Sequence, residues 1–382
     1  MRNRFLTLCL AVFCLGISVA LKAENDKPFV IPELRQWQGA DGMATINAKS
    51  KVLYADAALQ QAAEAMAEDY GLMFGKALKA KATKDASKVA AGSIVISLTD
   101  DKELGDEGYS IEIGDYVAIK ANTPTGAYWA TRTLLQILEQ SEGANLPKGT
   151  IRDWPDYAVR GFMIDCGRKY IPLDYLKQYS KIMAYYKMNT LQVHLNDNGF
   201  KQYFGNDWDE TYAAFRLESE LFPELSAKDG CYGKDEFRQF QKDAAKMGVN
   251  IIPEIDVPGH CTQFCKNYPE IFGTDNIIPQ TEAAMSAMQA LFAELCDTFP
   301  NAEYIHVGGD EAAIEKWTTN EACRAYAEAC GIDFDNPDKR YLAERMLANF
   351  VQKMADAVMA KGKKVMAWEG FAPAVNEFVS KD

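Results

Sequence analysis

The sequence predicts an α/β protein with a (β/α)8-type barrel, of which about five units are present, preceded by a small α+β domain. Three observations predict this fold. After Pro155, apolar runs of strand length alternate with amphipathic helical segments, which is typical of a parallel sheet covered by helices. Polar residues cluster at the C-terminal end of every predicted strand, where barrels carry their active sites. Between 28 and 153 the pattern instead mixes alternating strands with helices.

The first 23 residues have the pattern of a secretory signal peptide. Two arginines precede an apolar run at 5–19, and small residues follow at Ala20 and Ala23. A membrane anchor is the alternative, but the run is shorter than the ~20 apolar residues of a span, and no later stretch reaches that length. We therefore expect an exported protein (periplasmic, cell-surface or secreted) with no membrane span in the mature chain.

Charge and cysteine content exclude some function classes. The formal net charge is −13, and removal of 1–23 takes away three basic residues and no acidic one, so it becomes −16. Such an acidic chain lacks the basic surface that nucleic acids require. Of nine cysteines, seven lie after residue 23, with neither C-x-x-C nor paired zinc-type spacing. We interpret them mostly as small apolar core residues.

The segment 28–153 is predicted to be a non-catalytic α+β domain. It contains no cluster of histidine, cysteine or paired acids that would indicate chemistry. The hairpin prediction rests on alternating apolar and polar residues around Gly114-Asp115. The predicted elements are strand 51–56, helix 57–71, strand 93–98, hairpin 108–122 and helix 125–138.

The segment 156–382 is predicted to be the N-terminal part of a catalytic barrel. An open doubly wound sheet also fits its rhythm, but no Gly-rich dinucleotide or P-loop fingerprint follows any strand. The predicted strands are 159–166, 190–196, 249–256, 304–310 and 364–369, and the predicted helices are 174–187, 235–247, 282–299 and 338–361. The polar strand ends that favour the barrel are Asp165, Asn196-Asp197, Glu254 to Asp256, Asp310-Glu311 and Trp368-Glu369.

Five strands are fewer than a barrel needs. A barrel has eight strands, usually in ~250 residues. An open arc of five parallel strands would expose sheet edges and apolar faces. We therefore expect that the sequence is a piece of a longer protein and that up to three strands are missing.

All three histidines lie at predicted strand ends. His194 and His260 follow or end their strands, and His306 lies within the fourth. They could be metal ligands, or they could position a substrate and tune nearby carboxylates. Barrel metallohydrolases usually carry an H-x-H pair on the first strand, and this first strand has no histidine. The sequence therefore favours a site without metal or other cofactor.

Asp310 and Glu311 are adjacent acids at the end of the fourth strand, in YIHVGGDEAA. Most glycosidases place two carboxyl groups on opposite sides of the scissile bond, usually from different elements. Adjacent acids fit a different division of labour, in which a 2-acetamido group of the sugar is the nucleophile. One carboxylate would orient that amide, and the other, protonated, would donate to the leaving oxygen. Gly308 and Gly309 are expected to let the sugar approach the backbone.

Three motifs together resemble the family 20 glycoside hydrolases, the β-N-acetylhexosaminidases: HVGGDEA, PEIDVPGH and DYAVRGFMIDCGRKYIP. The segments IPELRQW, GYSIEI and GAYWATRTLLQIL resemble the small non-catalytic domain that precedes the barrel in that family. The resemblance covers nearly the whole mature chain. It implies removal of terminal β-linked N-acetylhexosamine from a glycan or glycoconjugate, with no cofactor.

The resemblance implies a role for each matching position. Asp310 resembles the residue that orients the acetamido group, and Glu311 resembles the general acid/base. His260 and Asp197 resemble the relay that contacts the acid/base and adjusts its proton affinity.

Three further positions are implied as substrate-binding residues. Arg168 resembles the arginine that hydrogen-bonds the ring hydroxyls, a task suited to its fixed donor fork. Trp368 resembles a tryptophan that walls the acetamido pocket, and His194 is placed in the same group. A salt bridge to Asp165 is the alternative for Arg168, and plain core packing is the alternative for Trp368 and His194. His306 is interpreted as a packed strand residue.

One motif departs from the family pattern. The second strand usually ends in Thr-Asp-Asp-Gln, whereas this chain has Asn196-Asp197-Asn198-Gly199. The departure affects contacts to the leaving group. Two other function classes stay open on the sequence: a carbohydrate-binding remnant without turnover, which would not need Asp310 and Glu311, and a metal-dependent barrel hydrolase, which a chelator would inactivate.

Overall fold

The computed structural model describes residues 24–84, 89–368 and 371–380. The chain forms two compact units, with the boundary between Asp156 and Tyr157. The signal peptide predicted for the first 23 residues lies outside the described residues. Among the helices that are described, none is both long and apolar enough to cross a bilayer.

The first unit is a mixed sheet with two helices. Its described strands run in the order β1-β7-β5-β6-β4-β2-β3, antiparallel from β1 to β6 and parallel from β6 to β3. The strands are β1 (Gln36–Thr45), β2 (Val52–Tyr54), β3 (Ala80–Ala82), β4 (Ile94–Leu98), β5 (Tyr109–Ile113), β6 (Val117–Ala121) and β7 (Asn145–Asp153), and the helices are α1 (Gln60–Phe74) and α2 (Pro124–Glu139).

Local sequence explains the predicted elements of this unit. Residues of β5 and β6 alternate between buried and more exposed positions, as a hairpin with one face on the core requires. Helix α2 begins where the Thr123 hydroxyl accepts a hydrogen bond from Gly126 N, and Pro124 occupies the first turn. The predicted β2, β4, hairpin and two helices are therefore confirmed, within a few residues at their ends.

Strands β1 and β7 were not predicted. Their sequences, QWQGADGMAT and NLPKGTIRD, contain glycine, proline and polar residues, so neither shows a clear alternation. The two strands form an antiparallel pair between segments that lie about a hundred residues apart in the chain, from Gln36 paired with Arg152 to Thr45 paired with Asn145. A pairing partner at this separation is not visible in a local pattern.

The second unit is a parallel sheet with helices between its strands. Its strand elements are β8 (Gly161–Asp165), β9 (Thr190–His194), β10 (Asn196–Asn198), β11 (Ala213–Phe215), β12 (Asn250–Glu254), β13 (Tyr304–His306) and β14 (Lys364–Met366). The helices are α3 (Leu173–Tyr185), α4 (Lys234–Lys246), α5 (Thr262–Asn267), α6 (Pro269–Phe272), α7 (Glu282–Thr298), α8 (Glu321–Ala329) and α9 (Lys339–Met359).

The strands of this sheet follow chain order across the sheet. The described order is β8-β9-β12-β13-β14, and every neighbouring pair is parallel. The five predicted strands and the four predicted helices are thereby confirmed, although Glu369, which ends the fifth predicted strand, lies outside the described residues. Phe162 and Met163 on the edge strand β8 are 47% and 42% exposed, as expected for an open arc.

Strands β9, β12, β13 and β14 end two to four residues earlier than predicted, and for β9 and β13 the following residues show why. Strand β9 ends at His194, and the next residues form β10, which pairs antiparallel with β11 as a small hairpin of its own. Strand β13 ends at His306, because the glycines that follow adopt positive φ angles and leave the strand conformation. Both early endings place polar residues in turns beyond the sheet rather than within it.

The described cysteines are all free thiols, and five of the seven are buried. This agrees with their interpretation as small core residues. Cys261 and Cys265 are the close pair, with 3.7 Å between their sulfur atoms at the start of α5.

Candidate active site

Four polar side chains stand in one row at the C-terminal end of the parallel sheet. The strand register pairs Asp165 with His194, His194 with Glu254, and Glu254 with His306. Residues paired in this way on neighbouring parallel strands point to the same face of the sheet. The sheet therefore brings together ionisable groups from four separate segments of the sequence.

Asp197 is the centre of the hydrogen bonding around this row. Its side chain is fully buried, and its carboxylate lies 2.8 Å from His194 Nε2, 2.9 Å from His260 Nδ1 and 2.7 Å from Arg168 Nη1. The backbone N–H of Asn198 donates a further bond of 2.6 Å. Burial alone would raise the pKa of Asp197, but the hydrogen bonds from the two histidines lower it well below its ordinary value. Asp197 is therefore a permanent buried anion.

His260 connects Asp197 to the adjacent acids. Its backbone has φ +47°, in the left-handed region that non-glycine residues adopt rarely. Nδ1 contacts Asp197, while Nε2 lies 3.9 Å from Asp310 Oδ1 and 3.8 Å from Glu311 Oε2. Burial alone lowers the pKa of His260, but the Asp197 bond and the charges of Asp256 and Asp310 raise it to about 9. At neutral pH the imidazole is thus a cation held between carboxylates.

Asp310 and Glu311 lie in the turn after β13. The Asp310 side chain is 34% exposed and that of Glu311 is 72% exposed, so both can reach solvent or a ligand. Among the described residues, His260 Nε2 and Asp310 Oδ1 are buried atoms without a hydrogen-bond partner. Glu311 has φ +48°, in the left-handed region that non-glycine residues adopt rarely.

The structure explains the glycine at position 308 differently from the sequence, which predicted that it lets a sugar approach the backbone. A side chain at position 308 would collide with Asp256 before it could obstruct a sugar, because its Cβ atom would lie 1.9 Å from Asp256 Oδ1. The same Asp256 oxygen accepts a 3.1 Å hydrogen bond from Gly309 N. The glycine pair therefore packs onto Asp256 and fixes the turn that carries Asp310.

Asp256 was not selected as a site residue by sequence reasoning. It is only 1% exposed, and Oδ2 lies 3.7 Å from His260 Nε2. Burial raises its pKa well above the ordinary value; the His260 charge opposes this shift, and the charges of Asp310 and Glu254 add to it. The signal that could have found it is polarity in an otherwise apolar strand, in VNIIPEID.

Arg168 lies at the exposed side of the cluster. Its Nη1 contacts Asp165 at 2.9 Å and Asp197 at 2.7 Å, and its side chain is 43% exposed. The salt bridge to Asp165 that the sequence offered as an alternative is present. The second contact nevertheless ties Arg168 to the same carboxylate as both histidines.

Arg216 supports the segment that precedes Arg168, and sequence reasoning missed it. Its guanidinium is fully buried and donates to the backbone carbonyls of Cys166 (2.8 Å) and Gly167 (3.1 Å). It also pairs with Asp229. A buried charge directly after β11 had no local signal, because the carbonyls that accept its hydrogen bonds belong to a loop about fifty residues earlier in the chain.

Trp368 and His194 occupy opposite sides of Glu254. The Trp368 indole N–H donates to Glu254 Oε1 at 2.7 Å, and the His306 ring centroid lies 4.7 Å from that of the indole. His194 is 5% exposed, with Nε2 on Asp197 and Nδ1 3.1 Å from Glu254 Oε2. Both ring nitrogens of His194 thus face carboxylates, so its contacts are those of a supporting residue.

The cluster contains potential metal ligands, but its hydrogen bonding favours another state. Within the part of the chain that the structure describes, three groups could each offer three ligands: Asp165-His194-Asp197, His194-Glu254-Asp256 and Asp256-His260-Asp310. A histidine must be neutral to bind a metal. The raised pKa values of His194 (about 10) and His260 (about 9) favour imidazolium at neutral pH.

Comparison with known proteins gives a consistent result. The sequence profile described as "Glycosyl hydrolase family 20, catalytic domain" matches residues 157–382, and that of "Glycosyl hydrolase family 20, domain 2" matches residues 27–154. A β-hexosaminidase of Akkermansia muciniphila is 32% identical over 229 residues, covering 53% of this chain and 46% of that protein. The β-hexosaminidase subunit beta of Homo sapiens is 25% identical over 311 residues, covering 74% of this chain and 52% of that protein.

Among solved structures, a GH20 exo-β-N-acetylglucosaminidase of Vibrio harveyi in complex with N-acetylglucosamine superposes with a TM-score of 0.75. The identity is 22%, and the alignment covers 94% of this chain and 58% of that one. This likeness confirms the predicted fold class, an α/β domain of the barrel type preceded by a small α+β domain. The chain spans about half the length of the curated relatives that it matches.

Proposed function

Because the chain belongs to glycosyl hydrolase family 20, we propose that the whole protein is an exo-acting, retaining β-N-acetylhexosaminidase. Its substrates are glycans or glycoconjugates that end in β-linked GlcNAc or GalNAc. The relatives named above are β-hexosaminidases and an exo-β-N-acetylglucosaminidase, which supports this choice of sugar. We also propose that the protein is exported, because residues 1–23 have the pattern of a signal peptide.

One observation carries the mechanism: Asp310 and Glu311 lie on the same side of His260, at 3.9 and 3.8 Å from its Nε2. Adjacent acids in this position do not straddle a glycosidic bond as a nucleophile and an opposing acid would. The neighbouring acids offer no substitute, because Asp197 and Asp256 are buried. The nucleophile is then supplied by the 2-acetamido group of the substrate.

In the first step, the acetamido oxygen attacks the anomeric carbon and the bond from that carbon to the leaving oxygen breaks. Glu311 transfers its proton to the leaving oxygen, and Asp310 accepts a hydrogen bond from the amide N–H, which gains positive charge as the ring closes. In the second step, Glu311 takes a proton from water, the water oxygen bonds to the anomeric carbon, and the cyclic intermediate reopens to the acetamide. The anomeric configuration is retained.

The test uses the purified full-length protein and two compounds. A thiazoline that mimics the cyclic intermediate should inhibit far more strongly than the product sugar binds, because enzymes are complementary to high-energy states along the reaction. The matched aryl glucoside with a 2-hydroxyl in place of the 2-acetamido group should not be hydrolysed measurably. A sugar trapped covalently on any carboxylate of the enzyme would contradict the mechanism. Binding of the product sugar without any turnover would favour a carbohydrate-binding protein instead.

A further inference from the structure

Glu254 is a fully buried carboxylate that the proposed mechanism does not use. Its side chain has no solvent exposure, and such a charge is costly unless polar partners surround it. Gln192 Nε2 donates to Oε2 at 2.7 Å, and Trp368 Nε1 donates to Oε1 at 2.7 Å. His194 Nδ1 completes the shell, 3.1 Å from Oε2. This last contact is an ion pair, and His194 Nδ1 makes no hydrogen bond.

A continuous series of contacts leads from Glu254 to the candidate acid/base. His194 Nε2 lies 2.8 Å from Asp197 Oδ2, and Asp197 Oδ1 lies 2.9 Å from His260 Nδ1. His260 Nε2 then faces Glu311 at 3.8 Å. Negative and positive groups alternate along this series up to His260, so each stabilises the ionised form of the next.

His306 is close to Glu254 but does not take part in the same way. Its Nδ1 is 3.4 Å from Glu254 Oε1, but this nitrogen accepts a hydrogen bond from Gly308 N at 3.1 Å. A ring nitrogen that accepts a hydrogen bond carries no proton. Burial also lowers the pKa of His306, whereas contacts with Asp197 and Glu254 raise that of His194 to about 10 despite burial. His194 is therefore the charged neighbour of Glu254.

We propose that Glu254 is a positioning residue that fixes two parts of the active site at once. Through Oε1 it holds the indole of Trp368, the expected wall of the acetamido pocket. Through Oε2 it keeps His194 in place as the charged link to Asp197. The catalytic meaning of this role rests on the proposed function, whereas the linkage itself is a property of the fold.

Two substitutions separate the two halves of this role. Glu254→Gln keeps an oxygen that can accept from Trp368 but removes the negative charge beside His194. Glu254→Asp keeps the charge but shortens the side chain by one methylene, so a single carboxylate no longer reaches both partners. Glu294→Gln is the matched control, because Glu294 is a largely buried carboxylate bonded to Ser219 and Lys234, outside this network.

The readout is the titration of the histidine side chains by long-range ¹H–¹⁵N NMR, together with the indole N–H signals. The 382 residues include three histidines and six tryptophans, so single substitutions assign the peaks. In Glu254→Gln the titration midpoint of His194 should fall by about one to two pH units, the effect of losing one charged contact. The titratable groups around His194 are Asp165, Asp197, Glu254, Asp256, His260 and His306, and Arg168 is a permanent positive charge on the far side of Asp197.

Glu254→Asp should leave His194 charged while the Trp368 indole N–H moves to the position of a weakly bonded indole. In kinetics with an aryl N-acetylglucosaminide, Glu254→Asp should mainly raise KM, and Glu254→Gln should mainly lower kcat and shift the alkaline limb of the pH profile. Glu294→Gln should change neither spectrum nor profile. A purely structural role for Glu254 would lower stability without these separate changes.

An unchanged His194 midpoint in Glu254→Gln overturns the proposal. If that variant does not fold, Glu254→Asp decides alone, and an indole signal identical to wild type overturns it. If the spectra change as expected but the wild-type protein hydrolyses no N-acetylhexosaminide, the linkage stands and the proposed function fails.

Discussion

Buried polar groups have different roles in the two units of the chain. In the first unit, buried charges form closed local pairs, such as Arg132 with Asp69, or small sets, such as Asp153 with Tyr109. In the second unit, buried His194, Asp197 and Glu254 belong to one connected cluster that continues to exposed carboxylates. The first arrangement stabilises the fold of its unit, whereas the second also presents ionised groups to a ligand.

The difference follows from sheet topology. In the first unit, the neighbouring strands β1, β7, β5 and β6 alternate in direction. Their C-terminal ends therefore lie at two opposite sides of the sheet. In the second unit every paired strand is parallel, and all C-terminal ends meet at one edge. Parallel topology therefore concentrates side chains from distant segments of sequence in one place.

The largest expected contrast is in activity. Asp310→Asn in the full-length protein should lower kcat by about 10²–10⁴-fold on all substrates, because the charge that stabilises the amide is lost in every reaction. Glu311→Gln should do so for substrates with poor leaving groups, and much less for activated aryl glycosides. In the first unit, Asp153→Asn should lower stability and leave kcat unchanged. Equal losses across leaving groups for Glu311→Gln would remove it from the acid role.

The second contrast compares two buried arginines. Arg216→Met and Arg132→Met should each destabilise their own unit by about 1–3 kcal/mol, because each removes a buried hydrogen-bond donor, while the paired carboxylates of Asp229 and Asp69 stay partly exposed to water. Only Arg216→Met should also raise KM, because its guanidinium holds the carbonyls that precede Arg168. Denaturant unfolding and steady-state kinetics measure the two effects. A raised KM for Arg132→Met would show that the first unit also shapes sugar binding.

The third contrast is in pH dependence. The pKa values of His194 and His260 are raised to about 10 and about 9, so the stability that they contribute is fully present below the ordinary value of 6.5. It is lost as pH rises from there through 9 to 10. The second unit should therefore lose several degrees of Tm over this range, since 1 kcal/mol corresponds to about 2–4 °C for a unit of this size.

The first unit contains no histidine between residues 24 and 156 and should show no such loss below pH 9. Calorimetry with hydrogen exchange assigns each transition to its unit. Asp197→Asn should flatten the alkaline slope of the second unit, because it removes the shared carboxylate partner. A slope that persists in this variant would place its origin outside the histidine cluster.

The smallest effect should be the same in both units. Thr123 and Thr281 each cap a helix, α2 and α7, through a side chain that accepts from a backbone N–H in the first turn. Thr123→Ala and Thr281→Ala should each cost about 1 kcal/mol, measured by denaturant unfolding, with no change in kcat. Activity loss in Thr281→Ala would mean that α7 controls the site as well as the fold.

Much of the site could be predicted from local sequence. The residues Arg168, Asp197, His260, Asp310 and Glu311 were selected from motifs, and the structure brings them into one cluster. What could not be predicted is which groups complete it. Polarity in an apolar strand marks Asp256 locally, but its partner Gly309 and the partners of Arg216 lie about fifty residues away, and no local pattern identifies those contacts.

The sequence by itself determined the strand and helix rhythm of the second unit, because periodic burial is encoded in neighbouring residues. It also determined the adjacency of Asp310 and Glu311, which is covalent. Only the tertiary structure decided the register that sets His194 beside Glu254, and the packing of Gly308 onto Asp256. Register and burial depend on hydrogen bonds and contacts between distant segments, and those exist only once the sheet has formed.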